Sequence, residues 1–541
     1  MKYINCLNKY LKEFAKAWGY FTFFLIAGLI IFTYPMFVSN FDLMPGDACD
    51  VKSFTYILEH SYKWLIREAP HLSFIDIPFY YPEKHTLFYS DALIGLMPFY
   101  WIIRLFCSNP FTSVQIYLPI LCLLNYSTFY YFLNKQLKFE NLFSSVGAFL
   151  FAFSVLRYYR LCHLNYFSQF FTVLTLIFLF KINEKKSNQK NHIYFALSVI
   201  FLAIQFYTCF SYGFYFCFVG GFILIASLFF KKARENLISF IKIFYKKILL
   251  YSFILMVLLC PLIYFYLSVG LIRDIDEIYI YLQPVSAWIR NLSVLDCFIL
   301  RDKIEFKDIY SAQELCASMG IFTTITALFG ISKIKNYKYV LFFTLMFIFL
   351  CSVEIGGFLF WKIFYNIIPG TQGIRAIIRI SLMTLIILPV GICYYFEYLK
   401  NKSTKLSKIF LILSVVLIFF EQIPHNYDIN SPWKTYSWSK SKFMNQIEEY
   451  SKIVNKDSEV ILFLPDYINQ DKLSEIQVQD RVAVSSIYVN SLGVWVAMQT
   501  KKQTLNGSSG FSREIYLNDY KNAQVEYIIY DLTKVGLFED K

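Results

Sequence analysis

The chain has 541 residues, of which 57% are hydrophobic, 20% aromatic and only 16% charged, and its net charge is +13. Soluble globular proteins carry about 25% charged residues, so this composition excludes an ordinary soluble fold. From Ile423 onward 15 Asp and Glu face 13 Lys and Arg. The positive charge therefore lies in the apolar part, which excludes a basic soluble domain that binds nucleic acid.

Apolar runs recur through residues 1–422 and predict membrane-spanning helices. A helix needs about 17–25 apolar residues to cross the hydrocarbon core, and its backbone polar groups must be paired within the segment. The clearest runs are Tyr20–Phe37, Phe170–Phe180, Ile248–Tyr266, Val340–Cys351, Ile374–Phe396 and Ile409–Phe420. We therefore expect a mostly α-helical, polytopic bundle of about 11–13 helices.

Lys-rich loops separate these runs and predict the topology, because such loops usually face the cytoplasm. They lie at Lys181–Lys190, Lys231–Lys247, Lys333–Lys338 and Lys400–Lys408. This pattern places a first outer loop at residues 39–90 and a soluble tail at residues 423–541 outside the cytoplasm. The short segment Ala92–Phe106 is expected to lie in the interface or to re-enter the membrane.

The first outer loop is rich in acidic, His and aromatic residues. Asp47 follows the first apolar run closely, where partial shielding from water favours a carboxylate that accepts a proton. The same position also suits an N-cap for a helix predicted at Phe54–Ile66. Asp50 lies three residues further on, and Asp91 lies just beyond the loop.

Basic residues recur at the predicted outer ends of later runs. Arg375 and Arg379 are four residues apart, so on a helix they share a face. Charged residues at membrane depth usually face a cavity, and a guanidinium can bond two phosphate oxygens; the alternative is snorkelling to lipid headgroups. Arg160 and His163 lie in a short turn predicted on the same side, where they either flank that cavity or form an interfacial pair.

The tail predicts a small α/β or α+β domain. Lys442–Val454 has the pattern of a helix, and Asn506-Gly507 is typical of a turn. The predicted strands are Glu459–Pro465, Ile487–Val489 and Val525–Asp531. Because the last His is His425, the tail has no His base for its serines, and we expect acceptor binding or a capping role.

Five segments together resemble the GT-C superfamily of membrane glycosyltransferases, and most closely its bacterial YfhO-like branch. They are Gly46-Asp47, Phe79–Gly95, Tyr159–Leu164, Gly373–Arg379 and Leu505–Phe511. They occur in the same order as in that branch, from the first helix to the tail. One departure is Ile377, which stands where the branch usually has Pro.

The resemblance implies an inverting transfer of a sugar from a polyprenyl-phosphate carrier to a surface glycan, polymer or lipid acceptor. The location implied is the outer face of a bacterial plasma membrane. Asp47 would be the catalytic base and Asp50 its reserve. The substrate-binding residues would be Asp91, Arg160, His163, Arg375 and Arg379. No cofactor is implied with certainty and no metal ligand is assigned, although a divalent metal at Asp91 stays open.

Two other functions stay open. A flippase or transporter of lipid-linked glycans would need polar residues deep inside several helices, and the chain has few of them. A non-catalytic membrane assembly protein of the same fold would keep the architecture without the chemistry. In each case membrane lipid is a partner and nucleic acid is not.

Overall fold

A computed structural model describes residues 2–270, 272–282, 284–300, 316–425, 435–465, 487–507 and 525–530. Within these ranges helices dominate, as the composition predicts. The Ser508–Phe511 part of the fifth resembling segment lies outside the described residues, and so does Asp531.

The helices follow one another closely along the chain. In order they are α1 Lys2–Val38, α2 Asp50–Leu65, α3 Met97–Arg104, α4 Pro110–Tyr131, α5 Asn141–Phe153, α6 Val155–Tyr158, α7 Leu164–Phe167, α8 Phe170–Lys181, α9 Asn188–Thr208, α10 Phe210–Phe229, α11 Lys231–Val269, α12 Ile275–Ile280, α13 Val294–Leu300, α14 Ile321–Ser332, α15 Lys338–Ser352, α16 Lys362–Tyr365, α17 Thr384–Lys402, α18 Lys405–Glu421, α19 Lys440–Ile453 and α20 Ile487–Thr500. Short 3₁₀ segments join several of them at Thr86–Tyr89, Ile94–Leu96, Val285–Trp288, Thr371–Gly373 and Ile377–Met383.

Eight of the described helical segments are long and apolar enough to cross a membrane. They are Lys16–Val38, Pro110–Gln136, Asn141–Tyr158, Leu164–Lys181, Asn188–Thr208, Phe210–Phe229, Lys231–Val269 and Ile377–Lys402. Eight is fewer than the eleven or more that we predicted, because several runs form shorter apolar helices, at Ile94–Arg104, Ile321–Ser332 and Lys338–Ser352. The first of these is too short to cross about 30 Å of hydrocarbon, as expected for Ala92–Phe106.

The prediction of a basic loop at Lys231–Lys247 is wrong, because these residues form the first half of α11. That helix has 39 residues, and at about 1.5 Å per residue it is longer than the hydrocarbon core. Its Lys-rich half can therefore extend beyond the apolar layer while it stays helical. The side of the membrane on which each loop lies stays a prediction.

The tail contains a small parallel sheet. Its strands β3 Val460–Pro465, β4 Gln503–Thr504 and β5 Val525–Tyr530 have the order β4-β3-β5, and β3 pairs in parallel with both neighbours. A separate hairpin of β1 Glu354–Ile355 and β2 Phe358–Leu359 lies outside the tail. Parallel pairing needs crossover connections, so the described tail is of the α/β type.

One strand prediction in the tail is wrong. Ile487–Val489 begins α20, and the residues that follow are buried on all sides: Leu492, Val494, Trp495 and Val496 are each at most 4% exposed. A short, continuous apolar run has the same pattern in a buried helix and in a buried strand. The helix at Lys440–Ile453 and the strands at Val460–Pro465 and Val525–Tyr530 confirm the other tail predictions.

Candidate active site

A cavity of about 870 Å³ lies where the first loop, the His163 segment, the C-terminal end of α11, the Arg375 segment and the tail meet. Charged and titratable side chains from distant parts of the sequence converge there. They are Asp50, Asp91, His163, Arg273, Glu277, Arg375 and Arg379. Five of the seven predicted site residues therefore line one cavity.

Asp50 lies at the first position of α2, with its side chain 34% exposed toward the cavity. Its Oδ2 lies 3.0 Å from Nε2 of His163. The same ring nitrogen lies 2.7 Å from Nη2 of Arg379. A carboxylate and a guanidinium thus approach the same imidazole nitrogen, which donates to Asp50 when it is protonated and accepts from Arg379 when it is not.

The surroundings of Asp50 determine its charge state. Burial by itself would raise the pKa of this carboxyl. The hydrogen bond and charge of His163, together with the positive charges of Arg379 and Arg375, act in the opposite direction and prevail. The pKa of Asp50 consequently lies below its ordinary value of 3.8, and the group is ionised at neutral pH.

Asp47 has a different position from the one we expected of the base. It is 2% exposed, and its Oδ1 accepts the backbone N–H groups of Cys49 at 3.0 Å and Asp50 at 2.7 Å. A carboxylate at the start of a helix satisfies N–H groups that have no partner within the helix. Asp47 is not among the described residues that line the cavity. Its hydrogen bonds fit the capping role that the sequence left open. It lies near Asp50 only because it is close to Asp50 in the sequence.

The backbone at position 46, just before Asp47, requires a glycine. Its φ is +83°, and a Cβ there would lie 3.0 Å from both Cα of Cys162 and the backbone oxygen of Leu161. Only glycine has low steric cost at such a φ and such a close approach. The close packing brings the start of α2 against the segment that carries His163, so two of the resembling segments meet here.

Asp91 is held at the N-terminus of α10. Its Oδ1 accepts the backbone N–H of Phe210 at 2.7 Å, and its Oδ2 accepts from Nδ2 of Asn165 at 2.5 Å. Burial raises the pKa of Asp91, although these donors and the Cys209 thiol favour the charged form. The carboxylate faces the cavity and also stabilises the start of a candidate membrane span.

Arg375 and Arg379 share the cavity but not one α-helical face. Arg375 precedes the 3₁₀ segment Ile377–Met383, which contains Arg379, so the prediction of a common α-helix is wrong. Gly370 has a φ of +90°, which an α-helix does not contain, and the 3₁₀ segment Thr371–Gly373 follows it, so α17 begins only at Thr384. Arg375 stacks 4.7 Å from the ring of Tyr281, and Arg379 lies 4.9 Å from the ring of Tyr166.

Arg273 and Glu277 belong to the site although our sequence reasoning missed them. Glu277 Oε1 lies 3.1 Å from Nη1 of Arg273 and 3.5 Å from Nη1 of Arg375, so one carboxylate bridges two guanidinium groups. A signal was present in the sequence. These charged residues are four apart and begin seven residues after the apolar run Ile248–Tyr266 ends. Ionised groups at a membrane boundary indicate function.

Arg160 lies away from this cavity. It is fully buried, and its Nη2 donates to the backbone oxygen of Cys316 at 3.0 Å. The predicted pairing of Arg160 with His163 is also wrong, because the two side chains point to different partners. Among the described residues, no group of three His, Cys, Asp or Glu side chains is arranged to hold a metal ion, so no ligand set can be assigned to the divalent metal left open above.

No protein-family model and no curated protein matches this chain. Several solved structures match it. An oligosaccharyltransferase of Archaeoglobus fulgidus, in complex with an inhibitory peptide and a dolichol-phosphate, matches with a TM-score of 0.52 at 12% identity over 91% of this chain and 65% of the other. A structure described as the A. fulgidus oligosaccharyltransferase in complex with Zn and sulfate matches with a TM-score of 0.48 at 12% identity, covering 91% and 63%.

This chain therefore spans less than two thirds of the length of the oligosaccharyltransferase that it matches. At 12% identity the likeness concerns the fold and not the reaction. The mostly helical structure, its eight candidate membrane helices and the match with the oligosaccharyltransferase agree on one architecture. The chain has the fold of this oligosaccharyltransferase, a bundle of helices long and apolar enough to cross a membrane, followed by a C-terminal α/β tail.

Proposed function

We propose that this protein is a membrane glycosyltransferase that moves a sugar from a polyprenyl-phosphate carrier to an acceptor hydroxyl, with Asp50 as the catalytic base. One observation carries the proposal. The carboxylate of Asp50 faces a cavity and lies 3.0 Å from His163, which in turn lies 2.7 Å from Arg379. A base and a cation that binds anions are thus adjacent in one site.

The chemistry uses both groups. The acceptor oxygen attacks the anomeric carbon and gives its proton to Asp50, while the bond between that carbon and the carrier phosphate breaks. A single displacement inverts the anomeric carbon. The phosphate leaves with the bonding electron pair, and Arg379 and Arg375 stabilise its negative charge.

Donor binding also tunes the base. In the free site the two arginines help to keep the pKa of Asp50 low. When a phosphate anion neutralises them, that stabilisation of the carboxylate weakens and its proton affinity rises. The carboxylate becomes a stronger base only when the donor is present, which couples proton removal to a filled site.

The cavity walls suit a lipid carrier. The C-terminal end of α11 contributes Leu259, Leu262, Ile263 and Leu267, and Leu267 is 75% exposed. Because α11 is a candidate membrane span, an apolar chain could lie along it while its phosphate reaches the arginines. The oligosaccharyltransferase of similar fold was solved with a dolichol-phosphate, which supports a donor of this class.

The acceptor and the location rest on the resemblance given by the sequence motifs. We infer a surface glycan, polymer or lipid as acceptor, on the outer face of a bacterial plasma membrane, with the tail on the same side. The closer resemblance to the YfhO-like branch is part of this proposal.

Complementation of a deletion strain tests the reaction. Surface glycans of the deletion strain are compared after expression of wild type, Asp50→Asn or Asp457→Asn; Asp457 is an exposed carboxylate of the tail and serves as the matched control. We expect a sugar substituent that wild type and Asp457→Asn restore and that Asp50→Asn, present in the membrane at equal level, does not. Full restoration by Asp50→Asn would favour a non-catalytic assembly protein, and accumulation of the complete lipid-linked glycan would favour a flippase.

A further inference from the structure

The first loop and the tail are joined by a backbone ladder at the edge of the cavity. The N–H of Thr504 donates to the oxygen of Pro78 at 3.2 Å, and the N–H of Tyr81 donates to the oxygen of Thr504 at 3.0 Å. The N–H of Tyr80 donates to the oxygen of Asn506 at 3.1 Å. These three bonds, which we call the ladder, join residues 78–81, a segment of bends and turns, to residues 504–506 at the end of β4. Asn506 lies in the ladder and Gly507 directly follows it, where we had predicted a turn.

The ladder fixes one aromatic side chain against a glycine. A Cβ on Gly507 would lie 2.0 Å from Cζ of Tyr80, which is far inside contact distance. The phenol end of Tyr80 thus lies directly on the backbone of Gly507. The ring of Tyr89 packs on the other part of the ring of Tyr80, with centroids 5.7 Å apart. Any side chain at position 507 would displace the phenol.

An amide completes this part of the wall. Oδ1 of Asn490 accepts from Nδ2 of Asn506 at 2.9 Å. Asn506 is itself fixed, because its Oδ1 accepts the N–H of Phe463 at 2.7 Å and its Nδ2 also donates to the oxygen of Phe463 at 3.0 Å. The orientation of the Asn490 amide is therefore set by the central strand of the tail sheet.

We define the seam wall as Tyr80, Tyr89, Asn490 and Gly507, all of which line the cavity. None of the three side chains in this wall is charged, whereas the charged lining residues come from α2, from residue 91 and from the segments around residues 273–277 and 375–379. The phenol of Tyr80 and the amide of Asn490 can form hydrogen bonds, and both aromatic rings add apolar surface, whereas the hydroxyl of Tyr89 donates to Oε2 of Glu83 at 3.1 Å. An anionic group placed against them would lose its hydration without gaining a counter-charge.

We propose that the seam wall is the acceptor subsite and that it binds an uncharged sugar residue of a glycan, with Tyr80 as the specificity-determining residue. The role as an acceptor subsite rests on the function proposed above, whereas the binding of a neutral sugar is independent of that function. A sugar ring matches the wall because its hydroxyls can pair with the phenol and the amide while its C–H groups contact the aromatic rings. Peptides and polyol phosphates, which carry charges, match it less well.

Ligand-observed NMR on the purified full chain in lipid nanodiscs tests the proposal. The probes are the methyl pyranosides of glucose, galactose and mannose, with glycerol 1-phosphate and an uncapped tripeptide as charged alternatives. We expect saturation transfer from wild type to at least one methyl pyranoside, and an affinity about tenfold weaker in Gly507→Ala and in Tyr80→Phe, the size expected for one or two lost polar contacts. Gly221→Ala is the control, because a Cβ at Gly221 meets nothing within 4 Å.

A second variant keeps the test decisive if Gly507→Ala proves unstable. Asn490→Asp preserves the shape of the side chain and the oxygen that accepts from Asn506. It removes the amide donor, so it should weaken the binding of a pyranoside whose oxygen accepts from that donor. Preferred binding of glycerol 1-phosphate or of the tripeptide by wild type would overturn the proposal. So would pyranoside binding that none of the seam-wall variants changes.

The two proposals can fail separately. Asp50→Asn should retain pyranoside binding and lose sugar transfer. If wild type binds a pyranoside at the seam wall but Asp50→Asn still restores the surface glycan, the transferase proposal fails and the neutral-sugar site stands. If Asp50→Asn abolishes transfer and no pyranoside binds, the seam-wall proposal fails alone.

Discussion

The indole N–H of Trp495 donates to the backbone oxygen of Lys52 at 3.3 Å, across 443 residues of sequence. The same indole packs edge-on against Tyr56 of α2, with centroids 5.6 Å apart, and lies 4.6 Å from the ring of Phe111 in α4. Lys52 and Tyr56 belong to the helix that begins at Asp50. The tail therefore holds the helix that carries the proposed base.

Removal of the indole should loosen the tail. Trp495→Ala deletes a buried aromatic ring that is 4% exposed, a change that costs about 3–5 kcal/mol in protein cores. We expect a lower Tm and faster cleavage of the tail by a protease added to nanodisc-embedded protein. Trp18→Ala, at a position that is 53% exposed, should leave both unchanged. Equal protease resistance of wild type and Trp495→Ala would contradict the docking role.

Lys52 should make stability depend on pH. Burial lowers the pKa of its amine from 10.5 to about 8, although the charges of Cys49 and Asp47 oppose this effect. The ammonium lies 3.9 Å from the ring of Phe443 and 4.8 Å from that of Trp438. Between pH 8 and 10.5 the unfolded chain keeps a proton that the folded chain has lost, so folding stability rises with pH across this window.

The measurement is the Tm of wild type relative to Lys52→Met at pH values from 7 to 10. The difference should shift in favour of wild type as the pH rises above about 8. Lys456→Met, at an exposed position of the tail, controls for general effects of pH on charged lysines. Parallel profiles for wild type and Lys52→Met would show that Lys52 does not titrate in this range.

Variants of Asp47 separate capping from catalysis. An amide oxygen can accept the same N–H groups, although more weakly than a carboxylate, so Asp47→Asn should keep the start of α2 and retain sugar transfer within a few-fold. Asp47→Ala removes the acceptor and should lower stability by about 1 kcal/mol. Both are read by Tm and by restoration of the surface glycan. A folded Asp47→Asn without any transfer would instead support Asp47 as the base.

Arg379 should require its guanidinium and not only its charge. Lysine keeps the positive charge but lacks the planar fork that bonds two phosphate oxygens and reaches His163. We expect Arg379→Lys to reduce kcat/KM by roughly 10²–10³, as for removal of one donor that stabilises a transition state. Arg234→Lys, at an exposed position of α11, is the matched control. Activity near the wild-type level in Arg379→Lys would exclude a fork-dependent role.

Much of the fold could be predicted from the sequence, for physical reasons. Membrane lipid forces continuous apolar runs into helices, so runs such as Tyr20–Phe37 and Ile248–Tyr266 identify α1 and α11 directly. The secondary structure of short segments is harder to predict, because it depends on their tertiary packing. Ile487–Val489 has β-branched and aromatic residues but forms a helix, since its neighbours are buried on every side against the sheet and α2.

The candidate site could also be predicted only in part. Motif residues that a membrane boundary makes costly could be selected as candidates from their type and place, but of these His163 and Arg379 line the cavity whereas Arg160 does not. The sequence could not show whether Asp47 or Asp50 faces the cavity, because this depends on where α2 begins. The helix starts four residues before its predicted position, and that shift turns one carboxylate toward the backbone and the other toward the cavity.

The ladder between residues 78–81 and 504–506 has a consequence for biogenesis. Chains emerge from the ribosome and fold from the N-terminal end, so the loop that bears Asp50 is synthesised long before its partner in the tail exists. The cavity can close only after residues 504–507 have reached residues 78–81. A nascent chain therefore has an open cavity, and the wall that contains Tyr80 is completed in a single late docking event.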